Sequence, residues 1–245
     1  MNARLNLFLE RHRSLLTAAK IAVSLRDTYR VAMWTLRRSS AIERYLASHS
    51  IRKLQVGAGG NTLAGWLNTD VYPSVSGVVY LDATKPFPLR DGTLDYIFGE
   101  HQIEHLTYDE GLFMLRECWR VLKHGGRIRI ATPDLEAMIG LYTSNKSDLQ
   151  QRYIKWMTDR YMPQTGVYHE CFVLNNAFLN LGHRFIYDRA TLQTALSKAG
   201  FVDVTYHEPG ESGEGVFRGI EVHGRLIGDE DMNRFETMVL EAKRP

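Results

Sequence analysis

"KLQVGAGGNTLAGWLNTDV", Lys53 to Val71, reads as a short apolar strand, a glycine loop and a second strand that ends in an acid. That order belongs to nucleotide-binding crossovers. Gly57 stands only thirteen positions before Asp70, however, where a dinucleotide-binding fingerprint needs roughly 20 residues and a full helix. A polyphosphate loop is excluded as well, because no glycine-lysine-serine or glycine-lysine-threonine follows. "YTSNK" sets Tyr142 four residues before Lys146, as in short-chain dehydrogenases, but the glycine spacing and the missing helix make that pair a coincidence.

Outward from this stretch, strand and helix signals alternate. "GVVYLDA", "LDYIFGE" and "GGRIRIATP" read as the next three strands, and such alternation predicts a parallel sheet covered by helices. Before the last of them, Thr107 and Glu110 form a capping-box pattern. Leu112, Leu115, Trp119 and Leu122 give an apolar stripe, and Gly125 and Gly126 are expected to stop the helix after Lys123. A further helix starts at an Asp188 cap, followed by a strand in "FVDVTYH" and a final one in "TMVLEAKRP". From Asp134 to Arg184 the alternation gives way to a long irregular stretch rich in Tyr, Trp, Met, Phe and His. It reads as a pocket-building insertion, as an aromatic mini-core for an extra helical layer, or as both.

The chain of 245 residues is 44% apolar and 24% charged, ordinary values for one globular domain with additions. No stretch approaches the roughly 18 uninterrupted apolar residues of a spanning helix. Two cysteines, Cys118 and Cys171, are too few for a disulfide framework and lack metal-ligand spacing, so a cytoplasmic location is expected. The formal charge of +2 divides into +6 over residues 1–50 and −4 over the rest. The basic arm carries two weak helical patterns, "LLTAAKIAVSL" and "TYRVAMWTLRRSSAIERYL". These fit helices packed on the domain or on a second copy in a homodimer, peripheral contact with an anionic membrane, or a targeting peptide.

Ligands of open parallel sheets bind beyond the carboxyl ends of the strands. There the first strand is followed by Gly57, Ala58, Gly59 and Gly60, the second by Asp70 and the third by Asp82. Two carboxylates beside a glycine loop suit a ribose diol and an amine-bearing base and would repel a polyphosphate.

"LQVGAGG", "WLNTDV", "YLDATKPFPLRDGTLDYIFGEHQIEHL" and "CWRVLKHGGRIRIATPD" resemble, in order, the signature segments of class I S-adenosylmethionine-dependent methyltransferases. The short glycine loop with "GWLNTD", and "PFP" with "EHQIEHL", are similar to a subgroup associated with bacterial polysaccharide and sugar-modifying pathways. His124 in "KHGG" stands where the family commonly has proline. The resemblance implies an α/β, doubly wound, seven-stranded, mostly parallel sheet of the Rossmann-like methyltransferase kind over residues 51–245. A helical N-terminal arm would cover 1–50, a substrate cap would be inserted at about 136–184, and the one antiparallel strand would be the last. It implies that S-adenosyl-L-methionine is held by Gly57, Ala58, Gly59, Asp70 and Val71, with Asp82 and Ala83 at the adenine and Gly99 and Glu100 near the methionine end.

Methyl transfer to a hydroxyl needs a base, and the candidates are His101 first, then His105 and His183. His101 and Glu104 follow the fourth strand, and His183 sits where the insertion rejoins the sheet. Each also has a structural reading, as a strand cap or a hydrogen-bonded loop residue. No metal is expected, because neither cysteine nor HExxH spacing supports one. The acceptor expected from the resemblance is a sugar or glycan hydroxyl, with Asn175, Asn176 and Arg184 as candidate contacts. A small aromatic or lipid-linked acceptor is the alternative, and a non-catalytic binder of the cofactor is a reading of another class. An acidic body argues against a nucleic-acid substrate.

Overall fold

The apolar runs assemble as one sheet in the order β3-β2-β1-β4-β5-β7-β6. The computed structural model describes the backbone of residues 3–245 and the side chains chiefly from Leu25 onward. Its strands are β1 (Lys53–Val56), β2 (Leu67–Asp70), β3 (Val79–Tyr80), β4 (Leu94–Glu100), β5 (Leu122–Pro133), β6 (Val202–His207) and β7 (Thr237–Lys243). β1 pairs in parallel with β2 (Leu54 opposite Leu67) and with β4 (Leu54 opposite Ile97). β7 runs antiparallel to both β5 and β6. This is the expected mostly parallel doubly wound sheet, with the last strand reversed. The direction of winding changes between β1 and β4, so a crevice opens at their carboxyl ends. Leu54, Ile97, Phe98, Ile128 and Val239 are at most 1% exposed, as strands covered on both faces require.

The N-terminal segment forms one helix, α1 (Ala3–Ser48), rather than two. No proline or glycine interrupts it, so the backbone continues through the weakly patterned middle. No described helix is long and apolar enough to cross a membrane. The described chain divides into two units between Ala47 and Ser48.

In the second unit, α2 (Tyr108–Val121) has the expected capping box: Glu110 N donates to Thr107 Oγ1 at 3.3 Å and Thr107 N donates to Glu110 Oε2 at 2.9 Å. Its buried stripe is Met114, Leu115, Cys118 and Val121, rotated from the expected one. Trp119 moves to the edge, where Nε1 donates to Gly200 O at 2.9 Å and the Arg244 guanidinium lies 4.1 Å from the ring centroid. The helix also ends earlier than its glycines predict. Arg244 donates to the carbonyls of Arg120 and Leu122, and the chain passes directly into β5. Thr107→Ala removes one cap bond and is expected to cost about 1 kcal/mol, a drop of about 2–4 °C in thermal midpoint for a chain this long. An unchanged melt would show the cap to be redundant.

The stretch expected to be irregular is mostly helical: α3 (Leu135–Ile139), α4 (Asp148–Tyr161) and α5 (Glu170–Leu179). α6 (Arg189–Lys198) follows from its Asp188 cap, and α7 (His223–Ile227) and α8 (Glu230–Glu236) precede β7. Leu141, Tyr153, Ile154, Met157 and Val173 of the insertion pack with Ile227 and Met232 in one apolar cluster. The aromatic insertion is therefore an extra helical layer with its own core, and its inner side also walls a hollow.

Candidate active site

The loop after β1 turns back through left-handed backbone at Gly57 (φ 73°) and Gly59 (φ 52°), conformations that glycine adopts without strain. A Cβ on Gly57 would stand 2.3 Å from Gln102 Cγ, whereas one on Gly59 would meet nothing within 4 Å. Gly57 thus lets the loop pass Gln102. Asp70 holds the turn: Gly59 N donates to Oδ2 at 2.8 Å and Tyr72 N to Oδ1 at 2.7 Å. These charge-assisted bonds fix the carboxylate at the rim of a hollow of about 430 Å³. Gly57, Gly59, Asp70, Val71, Asp82 and Ala83 all line it. Thr84 donates to Asp82 Oδ1 through both N and Oγ1, at 2.9 and 2.7 Å, which orients that carboxylate while Oδ2 accepts from no described residue.

The remaining expected cofactor residues do not line this hollow. Ala58 is buried, and its N–H donates to Thr69 O at 2.9 Å to close the crossover. Gly99 packs within β4 against Val56 and Ile130. Glu100 turns away and accepts from Val222 N and His223 N, at 3.0 and 2.9 Å to Oε1. Burial pushes its carboxyl above the usual range, and the two backbone donors oppose that. Glu100 serves to fasten the segment before α7 to the tip of β4.

A second hollow, of about 190 Å³, adjoins the first, and His101 and His105 line both. Its walls include Met138, Tyr153, Trp156 and Tyr161 from the insertion, and His183, His223, Glu104 and Glu236. His101 has left-handed backbone (φ 46°), uncommon outside glycine and worth about 1–3 kcal/mol of strain. Both its ring nitrogens face protein: Nε2 is 3.1 Å from Thr237 Oγ1, and Nδ1 is paired with Glu104 Oε1 at 3.3 Å without a completed hydrogen bond. Burial pushes the His101 pKa down, but Glu104, Glu236 and Glu100 more than offset this and hold it above the ordinary value. Burial likewise pushes Glu104 up, and His101 outweighs it, leaving the carboxyl low. Burial keeps His183 below the usual histidine range.

His223 and Glu236 escape a reading of the sequence, since no spacing or motif marks either. His223 stacks on His101 with ring centroids 3.8 Å apart. Its Nε2 lies 2.9 Å from Glu236 Oε1, and Tyr153 OH donates to Oε2 of the same carboxylate at 2.6 Å. Glu236 thus orients the ring, and Nδ1 of His223 has no hydrogen-bond partner among the described residues.

The other candidates lie elsewhere. Arg184 is paired with Glu110 at 2.5 Å. Asn175 donates to Cys171 O, and the buried Asn176 accepts from Asn180. None of the three lines either hollow: Asn175 bonds within α5, Arg184 is held at the cap of α2, and Nδ2 of the buried Asn176 has no hydrogen-bond partner. Tyr142 is exposed, and Lys146 donates to Thr143 O on the outer side of the insertion. Cys118 is buried, Cys171 is exposed and both are free.

Residues 54–130, from β1 into β5, match the family model described as "Methyltransferase domain". Among curated proteins none matches the sequence. Three solved structures share the general arrangement. An S-adenosylmethionine-dependent methyltransferase from Archaeoglobus fulgidus is 20% identical over 86% of this chain and 94% of its own (TM-score 0.48). One from Thermotoga maritima is 17% identical over 90% and 97% (0.46). Phosphoethanolamine N-methyltransferase 2 of Haemonchus contortus, bound to phosphomonomethylethanolamine and S-adenosylhomocysteine, is 13% identical over 85% of this chain and 52% of its own (0.42). The present chain thus spans about half of that last protein. The residues that build the first hollow, Val56 to Leu106, fall wholly inside the matched segment. The matched segment, about a third of the chain, is similar to a methyltransferase domain and holds β1 through most of β5.

Proposed function

We propose that the chain is an S-adenosylmethionine-dependent methyltransferase that O-methylates a hydroxyl of a sugar or glycan. The observation that carries the reading is the small second hollow against the cofactor cradle, which combines aromatic walls with several hydrogen-bonding groups. Trp156 and Tyr161, which keep accessible surface, offer aromatic rings to the C–H faces of a sugar. The histidines His105, His183 and His223 on its walls can accept from or donate to its hydroxyls. Gly57, Gly59, Asp70 and Asp82 are assigned to hold the cofactor, whose contribution is a methyl group on a sulfonium. The protein aligns acceptor and methyl, an effect worth roughly 7–11 kcal/mol.

As the acceptor oxygen bonds to the methyl carbon and the carbon–sulfur bond breaks, the hydroxyl proton passes to a histidine. His101 is the nearer to the cradle, but both its nitrogens are turned to protein, so the role is placed on Nδ1 of His223. Glu236 orients that ring, and His101 packs it against the cradle. His223→Ala is expected to lower kcat by about a hundred- to ten-thousandfold and to leave S-adenosylhomocysteine binding unchanged. His101→Asn, chosen because asparagine tolerates left-handed backbone, should spare cofactor binding and slow turnover less. Full activity in His223→Ala would refute this assignment.

Nucleotide sugars and oligosaccharides offered with S-adenosylmethionine, with products read by mass spectrometry, test the acceptor class. An O-methylated sugar supports the reading, and transfer only to phenols or lipid-linked acceptors replaces it. The basic arm suits an acceptor held at an anionic membrane, so sedimentation with phosphatidylserine vesicles belongs in the same series.

A further inference from the structure

Glu104, His105 and His183 bring a carboxylate and two imidazoles together, each offering a ligand atom within 4.8 Å of the others. Backbone pairing assembles them. Arg184 N and Phe185 N donate to Glu104 O at 2.7 and 3.1 Å, which lays the end of the insertion against the turn after β4. Among the described residues this is the one group of three or more such ligands.

Two buried atoms of the cluster lack a hydrogen-bond partner: Oε1 of Glu104, on a residue with 0% exposure, and Nδ1 of His183. Glu104 Oε1 has an ion-pair neighbour in His101 Nδ1 at 3.3 Å but no completed hydrogen bond, so its coordination is incomplete. The other atoms are held as those of metal ligands usually are. His105 Nδ1 lies 3.2 Å from Gly182 O, which leaves Nε2 as the ligand atom, and Thr132 Oγ1 donates to Glu104 Oε2 at 3.0 Å.

We propose that Glu104, His105 and His183 bind one divalent first-row transition-metal cation. Two imidazole nitrogens and a carboxylate oxygen suit zinc, cobalt or iron better than magnesium or calcium. Donors about 2.1 Å from a tetrahedral ion stand about 3.4 Å apart, within the 4.8 Å that bounds the three ligand atoms. Three protein ligands leave a coordination position open, and all three residues line the second hollow. A hydroxyl bound in that position would lose its proton more readily. This last role rests on the acceptor reading above, whereas cation binding stands without it. HExxH and cysteine spacing missed the site because its ligands come from two segments far apart in sequence.

The test is titration of the untagged full chain with Co²⁺ and Zn²⁺, read by calorimetry, by metal content after dialysis and by the visible spectrum of bound Co²⁺. One ion per chain is expected, with affinity lowered about a hundredfold or more in His183→Ala and in His105→Ala, and unchanged in His124→Ala, whose ring contacts Pro245 O. The S-adenosylhomocysteine melt shift should persist in His183→Ala, showing that the variant is folded. Substoichiometric metal in the wild type, or equal affinity in the variants, would overturn the proposal. Loss of the S-adenosylhomocysteine shift in the wild-type chain would instead strike the methyltransferase reading and leave the metal titration to stand alone.

Discussion

Asp70→Ala is expected to abolish the thermal shift that S-adenosylmethionine or S-adenosylhomocysteine gives the wild-type protein. A ligand at a hundred times its dissociation constant stabilises by about 2.7 kcal/mol, or about 5–10 °C for a chain of this length. Asp70 accepts from both Gly59 and Tyr72, so its loss removes the anchor of the glycine loop together with the carboxylate proposed to meet the ribose. The unliganded variant should also melt lower, because a hydrogen bond to a charged group contributes about 1.5–3 kcal/mol. Asp70→Asn separates the two effects, since the amide oxygen can still accept one backbone bond but carries no charge. NAD and NADP serve as controls. A shift with those alone would overturn the cofactor, and an undiminished S-adenosylhomocysteine shift in Asp70→Ala would remove Asp70 from the site.

Arg129→Met is expected to destabilise the fold by about 3–5 kcal/mol, a fall of about 6–20 °C in thermal midpoint. Arg129 is fully buried in β5. Its Nε donates to Glu221 at 2.5 Å, and one terminal nitrogen donates to Glu241 at 2.6 Å and to Glu211 O at 2.9 Å. Removing the guanidinium leaves two buried carboxylates without their counter-charge. Glu221 also accepts from Gly210 N, so the strap that leads to His223 should loosen, and turnover should fall beyond what the melt explains. Combining Arg129→Met with Glu221→Gln and Glu241→Gln should recover most of the stability, because the penalty belongs to the unpaired charges. A triple variant no more stable than the single one would assign the loss to packing instead.

The sheet was legible because each buried strand is a local apolar run bounded by turn residues, and such a signal needs no partner to be read. Asp188 and Thr107 were legible as caps for the same reason, since each bonds a backbone N–H three residues on. The first hollow was legible through Gly57, Gly59, Asp70 and Asp82, because in a parallel sheet the residue after a strand must reach the crevice. The single N-terminal helix was not, because its interior carries neither a strong apolar stripe nor a breaker.

Other features depended on contacts that no local pattern records. Glu100, expected near the methionine end of the cofactor, holds the backbone at the start of α7, a partner more than a hundred residues away. Arg129 sits in an alternating strand, and only Glu221 and Glu241 explain its burial. The pairing of His223 with Glu236 and the meeting of His183 with Glu104 arise the same way, from the return of distant segments to the strand ends. By itself the sequence determined the fold class and most of the residues that line the first hollow, through short-range periodicity and spacing. Tertiary structure alone decided which histidine keeps a free nitrogen, which acids are consumed in support and where the second hollow opens, because hydrogen-bond partners and burial are properties of the assembled chain.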